Sequence, residues 1–155
     1  MHQRLLLALG LLAPPLVRAA SCPVSATGIG FGSYDPRSGT PTEATGTVTV
    51  TCQSAAPPES GSYGIALGSG ASGSYAGRAM MAAGGAVLYY QLYTDASHTA
   101  VWGDGSGGSA VVSGGYSLSD GTPRAYGHTV YGRIPAGQWP AAGSYTDTIT
   151  VTVTY

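Results

Sequence analysis

The sequence predicts an all-β fold, a sandwich or a barrel, on three observations. Apolar residues recur at every second position in several short windows. Clusters of glycine, serine and proline separate those windows. No window sustains a helical period, because the alanine-rich stretch from Ala76 to Ala86 is broken by Gly77, Gly84 and Gly85. In order along the chain, Ile29 with Phe31 marks a strand near the start. Thr47 to Cys52 alternates strictly, with Val48, Val50 and Cys52 on one face and threonines on the other. Tyr63, Ile65 and Leu67 repeat the period, as do Leu88, Tyr90 and Leu92 within Val87 to Tyr93. A further short strand is expected between His128 and Ile134. In the last segment Tyr145, Asp147, Ile149, Val151, Val153 and Tyr155 alternate with threonines, which predicts one long amphipathic strand to the final residue. The segments Gly68 to Gly77 and Gly103 to Gly115 read as long surface loops.

The first residues have a different character. A short basic start at Arg4, an apolar run from Leu5 to Leu12 and the small residues Ala19 and Ala20 compose a secretory signal. Residues 1–19 are therefore expected to be a leader cut after Ala19, with a cut after Ala20 as the alternative, and residues 20–155 to form one exported domain. The apolar run is shorter than the roughly 20 residues that a permanent bilayer span needs. The chain contains no lysine, and its acids Asp35, Glu43, Glu59, Asp95, Asp104, Asp120 and Asp147 outnumber Arg37, Arg78, Arg124 and Arg133. Such a surface has no basic footprint for nucleic acid and none for insertion into an anionic membrane.

Export also sets the chemistry of the cysteines. Cys22 and Cys52 enter a compartment where disulfides persist, so their pairing is expected, two free thiols being the alternative. Closing a loop of about 31 residues stabilises the fold by roughly 3.5 to 4 kcal/mol in the chain-entropy picture.

A search for catalytic or cofactor chemistry returns little. Gly68 to Gly73 and Gly103 to Gly108 both satisfy G-x-G-x-x-G, but neither is followed by the helix whose N-terminus would hold a phosphate. No G-x-S-x-G elbow occurs, and beyond the leader only His98 and His128 could act as a base. Two histidines and two oxidised cysteines make a poor zinc set. Asp104, Asp120 and a Gly-rich turn near Trp102 hint at calcium but fall far short of an EF-hand loop. The aromatic residues Tyr89, Tyr90, Tyr93, Trp102 and Trp139 suit either a carbohydrate platform or a core, and alternating strands favour the core. The expectation is a protein with no catalysis, no metal and no cofactor.

Read in order, several pieces carry a family resemblance. They are Cys22, Phe31-Gly32-Ser33-Tyr34, Gly46 to Cys52, Tyr63 to Leu67, Arg78-Ala79-Met80, Leu88 to Asp95, Val101 to Gly105, Tyr131-Gly132-Arg133-Ile134 with Gln138, and Gly143 to Asp147. This set resembles the spore coat protein U domain family, which includes the subunits of archaic chaperone-usher pili. The resemblance implies an immunoglobulin-like β-sandwich that lacks its final strand, leaving an apolar groove beside a C-terminal edge strand open to a donor strand. Tyr145, Ile149, Val151, Val153 and Tyr155 would line or flank that groove. A periplasmic chaperone would fill it first, an usher would secrete the subunit, and a strand from another pilus subunit would replace the chaperone. The implied setting is the periplasm and then a surface fimbrium, with roles in cell adhesion and biofilm.

One departure from that pattern bears on position in the fibre. A polymerising subunit carries a donor segment of about a dozen residues before its first cysteine, long enough to span a groove. Here a cut after Ala19 leaves only Ala20 and Ser21 before Cys22. The expectation is a terminal or minor subunit that accepts a strand and has none to donate. The competing reading is a self-contained secreted sandwich that binds glycan or protein without polymerising.

Overall fold

The structure, a computed structural model, describes residues 19–155, so the expected leader at residues 1–19 lies outside it apart from Ala19. The alternating windows become ladders. β1 (Val24–Ala26), β2 (Thr42–Cys52), β3 (Glu59–Leu67), β4 (Arg78–Met81), β5 (Val87–Tyr93), β6 (Val112–Leu118), β7 (Arg124–Ile134) and β8 (Val151–Thr154) pair antiparallel throughout. They compose a five-stranded sheet in the order β1-β2-β7-β5-β4 and a three-stranded sheet in the order β6-β3-β8. Of the two architectures open to the sequence, the chain adopts the sandwich.

The core lies between the sheets, where the inward residues of both meet: Val48, Val50 and Cys52 from β2, Tyr63, Ile65 and Leu67 from β3, Leu88, Tyr90 and Leu92 from β5, and Val130 and Ile134 from β7. Burying each such side chain contributes about 1.5–3 kcal/mol. Trp102 is fully buried and its Nε1–H donates to the Ile65 carbonyl at 2.8 Å. Cys22 and Cys52 form a disulfide of 2.03 Å. The aromatic set divides: Tyr90 and Trp102 belong to the core, whereas Tyr89 and Trp139 are exposed.

Several boundaries differ from the sequence expectation. β6 begins at Val112, inside the stretch read as a loop, and β4 occupies part of the alanine-rich segment. Ile29 and Phe31 lie outside any strand. After Ala26 the chain peels from β2, and the Thr27 hydroxyl, not a backbone carbonyl, accepts from the Thr47 N–H at 2.8 Å. Ile29 and Phe31 then sink into pits on the inner sheet face. A Cβ on Gly46 would stand 2.7 Å from Ile29 Cγ1, and one on Gly132 would stand 2.7 Å from Phe31 Cζ. The C-terminal strand also differs, pairing regularly only from Val151. Tyr145 to Thr150 crosses from one sheet to the other. Thr146 bridges Met81 of β4, Thr150 accepts from the Gly68 N–H at 2.8 Å, and only then does the chain join β3.

Candidate functional site

That crossing leaves an opening along one side of the sandwich. β1 and β8 are edge strands of opposite sheets; they approach each other without pairing, and beyond them the walls separate. One wall is the segment from Ala26, the last residue of β1, to Phe31, and the other is Tyr145 to Val151. Between them runs a groove of about 380 Å³ floored by Val48, Leu67, Met80, Tyr90, Leu92 and Val130. It adjoins a second hollow of about 650 Å³, sharing Ile29, Phe31, Met80 and Tyr145 and reaching Leu88, Ile134 and Pro140. A cavity of about 150 Å³ already accommodates benzene, so the groove has room for several side chains in a row.

Of the residues expected to line a groove, Tyr145, Ile149 and Val151 do so. Each is only half-buried although its side chain points inward. Val153 lies past the end of the groove, packed on the core. Tyr155 is 58% exposed and borders a separate shallow hollow with Ser62 and Tyr63. The opposite wall and the floor, including Ile29, Phe31 and Met80, were not among the expected residues; the β2 and β5 alternation held the signal for Val48, Tyr90 and Leu92.

The backbone of the C-terminal segment completes the geometry. The Gly68–Thr150 bond sets the alternation, so Thr152 and Thr154 face β3 and the N–H and C=O groups of Ile149, Val151 and Val153 turn to the opposite edge. Among the described residues no strand pairs with that edge of β8.

One polar residue interrupts the apolar row. Asp147 accepts from the Tyr90 hydroxyl at 2.7 Å and from the Ala71 and Thr148 N–H groups at 2.9 and 2.8 Å. Burial first, then the bond to Asp147, raises the Tyr90 hydroxyl well above the ordinary tyrosine range, so it stays a donor. Asp147 thereby ties the crossing segment to the Gly70–Ser72 turn and the groove floor. Beneath it Arg78, fully buried, donates to the Gly68 and Trp102 carbonyls and to Gln91 Oε1 at 2.6–3.0 Å, and burial lowers its pKa. These bonds fix where the crossing segment leaves β3.

The acids and histidines singled out in the sequence for metal or base chemistry make local contacts away from the groove. Asp104 and Asp120 each cap their own turn, Asp104 accepting from Ser106 and Asp120 from Thr122. His128 lies 2.9 Å from the Tyr63 hydroxyl, and His98 packs edge-on against Tyr93 and Tyr131. Among the described residues no three His, Cys, Asp or Glu side chains gather as a metal site would need.

A two-sheet antiparallel sandwich with one edge unpaired over an apolar groove is the class of protein defined by these features. The chain belongs to the Spore Coat Protein U domain family, whose model matches residues 8–152. No curated protein matches it. Among solved structures its fold is similar to a chain of the chaperone-tip adhesion subunit pre-assembly complex CsuC-CsuE, from the archaic chaperone-usher Csu pili of Acinetobacter baumannii. The TM-score is 0.54 at 20% identity, over 88% of this chain and 40% of that one. The present chain thus spans less than half the length of that relative.

Proposed function

We propose that this protein is a non-catalytic structural subunit of a secreted surface fibre of the archaic chaperone-usher kind, and that its groove accepts one partner β-strand. The observation that carries this reading is the half-buried row Tyr145, Ile149 and Val151 beside an unpaired backbone edge. An added strand would satisfy the N–H and C=O groups of Ile149, Val151 and Val153 and place alternate apolar side chains over Leu67, Leu92 and Val130. Family membership and the likeness of fold to a chaperone-subunit complex support the same reading.

The partners in this proposal are a periplasmic chaperone, an usher and then another subunit. The route runs from export through the periplasm to the cell surface. With a cut after Ala19, two residues precede Cys22, and the subunit is terminal or minor in the fibre. Periplasmic co-expression with candidate chaperones tests the proposal. The chain should be degraded when expressed alone and recovered as a one-to-one complex with its chaperone. A monomer that refolds reversibly alone and enters no complex would overturn the reading in favour of a self-contained sandwich.

A further inference from the structure

At the end of the sandwich remote from the groove, the chain enters the fold abruptly. Ala19 is exposed, while Ala20 is only 5% exposed and packs in the core cluster. Ser21 then exchanges two backbone hydrogen bonds with Gln53, each 2.9 Å, and Cys22 is tied to Cys52. The backbone N–H of Ala20 donates to Glu59 Oε1 at 2.9 Å. Glu59 has no cationic partner among the described residues; the ion pairs recorded there involve Glu43 and Asp120. Its carboxyl is nevertheless held below the usual range, by the Ser54 hydroxyl first and the Ala20 N–H second. A carboxylate prepared for a positive charge thus faces a nitrogen that is neutral while Ala19 is attached.

We propose that the leader is cut between Ala19 and Ala20, and that the α-ammonium group so created sits on Glu59 and fixes the mature N-terminus to the sandwich. Hydrolysis of the Ala19–Ala20 peptide bond leaves a carboxylate on the released leader and converts this amide nitrogen into an ammonium. An ordinary hydrogen bond becomes a charge-assisted one, about twice as strong. The alternative cut after Ala20 offers no such gain. It would remove a buried methyl and place the new charge at Ser21, whose nitrogen faces the Gln53 carbonyl. The other charged groups beside this end, Arg124 and Asp120, are paired with each other at 3.6 Å.

A consequence concerns assembly. Glu59 opens β3 and Leu67 closes it, so the anchored terminus sits about 26 Å from the Leu67 end of the groove, and the nearest groove wall, at Ala26, lies six residues along the chain from Ala20. An N-terminus clamped there cannot be extended to a neighbour. This inference does not rest on the groove accepting a strand, and its test reads an amine, not capture by a chaperone.

The absence of lysine makes the test specific, because the N-terminus is the only amine that can carry an amide-linked acyl label. The protein would be exported with its own leader and recovered free or with a chaperone. Its N-terminal peptide would then be read by mass spectrometry after brief acylation across a pH series. The expected terminus is Ala20, with a reaction midpoint above the ordinary α-amino range of about 7.7–8.0. At pH 7 it should react roughly threefold more slowly than in Glu59→Gln, the change that a half-unit rise in pKa gives. Where Glu59→Gln is not recovered, the wild-type midpoint decides alone. A terminus other than Ala20, an ordinary wild-type midpoint, or equal rates in the two proteins would overturn the inference.

Discussion

Glu59 and Leu67 stand at opposite ends of β3, and their surroundings differ in one respect. Around Glu59, the segment Ala20 to Cys22 closes the sandwich through a disulfide and a backbone bridge to Gln53, and Cys22, Cys52, Ser54 and Leu118 are all essentially buried. Around Leu67, the facing residues Tyr145, Ile149 and Val151 follow the same inward alternation yet stay half-exposed. Amphipathic pattern determines which way a side chain points, but only a neighbouring strand makes that direction fully dry. One end is complete within the chain. The other has the pattern of a core and lacks a covering element among the described residues.

The largest expected effect lies at the open end. If a partner strand covers Val151, a carboxylate there must be buried in the complex at a penalty of several kcal/mol. Val151→Asp should abolish capture by the chaperone, whereas Thr152→Asp, on the exposed face, should leave it nearly intact. A pull-down of freshly exported protein compares them, and equal capture would erase the proposed distinction between the two faces. At the closed end, replacing Cys22 and Cys52 together by serine should cost about 2–5 kcal/mol in chemical denaturation, with any residual capture unchanged in strand register.

Arg78 sits between the two regions and sharpens the contrast. Arg78→Met leaves the Gly68 and Trp102 carbonyls without their donor, while Gln91 Oε1 keeps only the Leu92 N–H, and each buried orphan costs about 1–3 kcal/mol. Because Gly68 also holds Thr150, this variant should lower stability and also loosen the crossing segment. Protease cleavage between Asp147 and Thr150 should accelerate before global unfolding. The smallest effect concerns His128, whose pKa burial lowers from 6.5. A depressed histidine favours its neutral form in the fold, so its contribution is complete above pH 6.5 and is lost as pH falls through the lowered value. Once protonated, His128 Nε2 can only donate to the Tyr63 hydroxyl, 2.9 Å away. Stability measured from pH 7 to 5 should decline less steeply in His128→Asn.

The sequence made some of this legible and concealed the rest for identifiable reasons. Val87 to Tyr93 and Thr47 to Cys52 were readable because period-two alternation coincides with a sheet that has one buried face. β6 escaped because Gly114 and Gly115 dilute its strand propensity, and β4 because four residues are too few to show a period. Tyr145, Ile149 and Val151 were legible as one wall of the groove for the same reason as the strands. Its other wall was not, because Ile29 and Phe31 are held by pits at Gly46 and Gly132, which are distant in sequence and invisible to a local pattern. Nor does alternation reveal that Asp147 serves as a tie to Tyr90 and Ala71.

Amide hydrogen exchange, residue by residue, on the free protein and on its complex with a chaperone or donor-strand peptide tests the central claim most directly. The N–H groups of Thr152 and Thr154 face β3 and should be protected in both states. Those of Ile149, Val151 and Val153 face the open edge and should exchange rapidly in the free protein, becoming protected only in the complex. Strong protection of all five in the free protein, or a complex that leaves Ile149, Val151 and Val153 exchanging as before, would contradict the account.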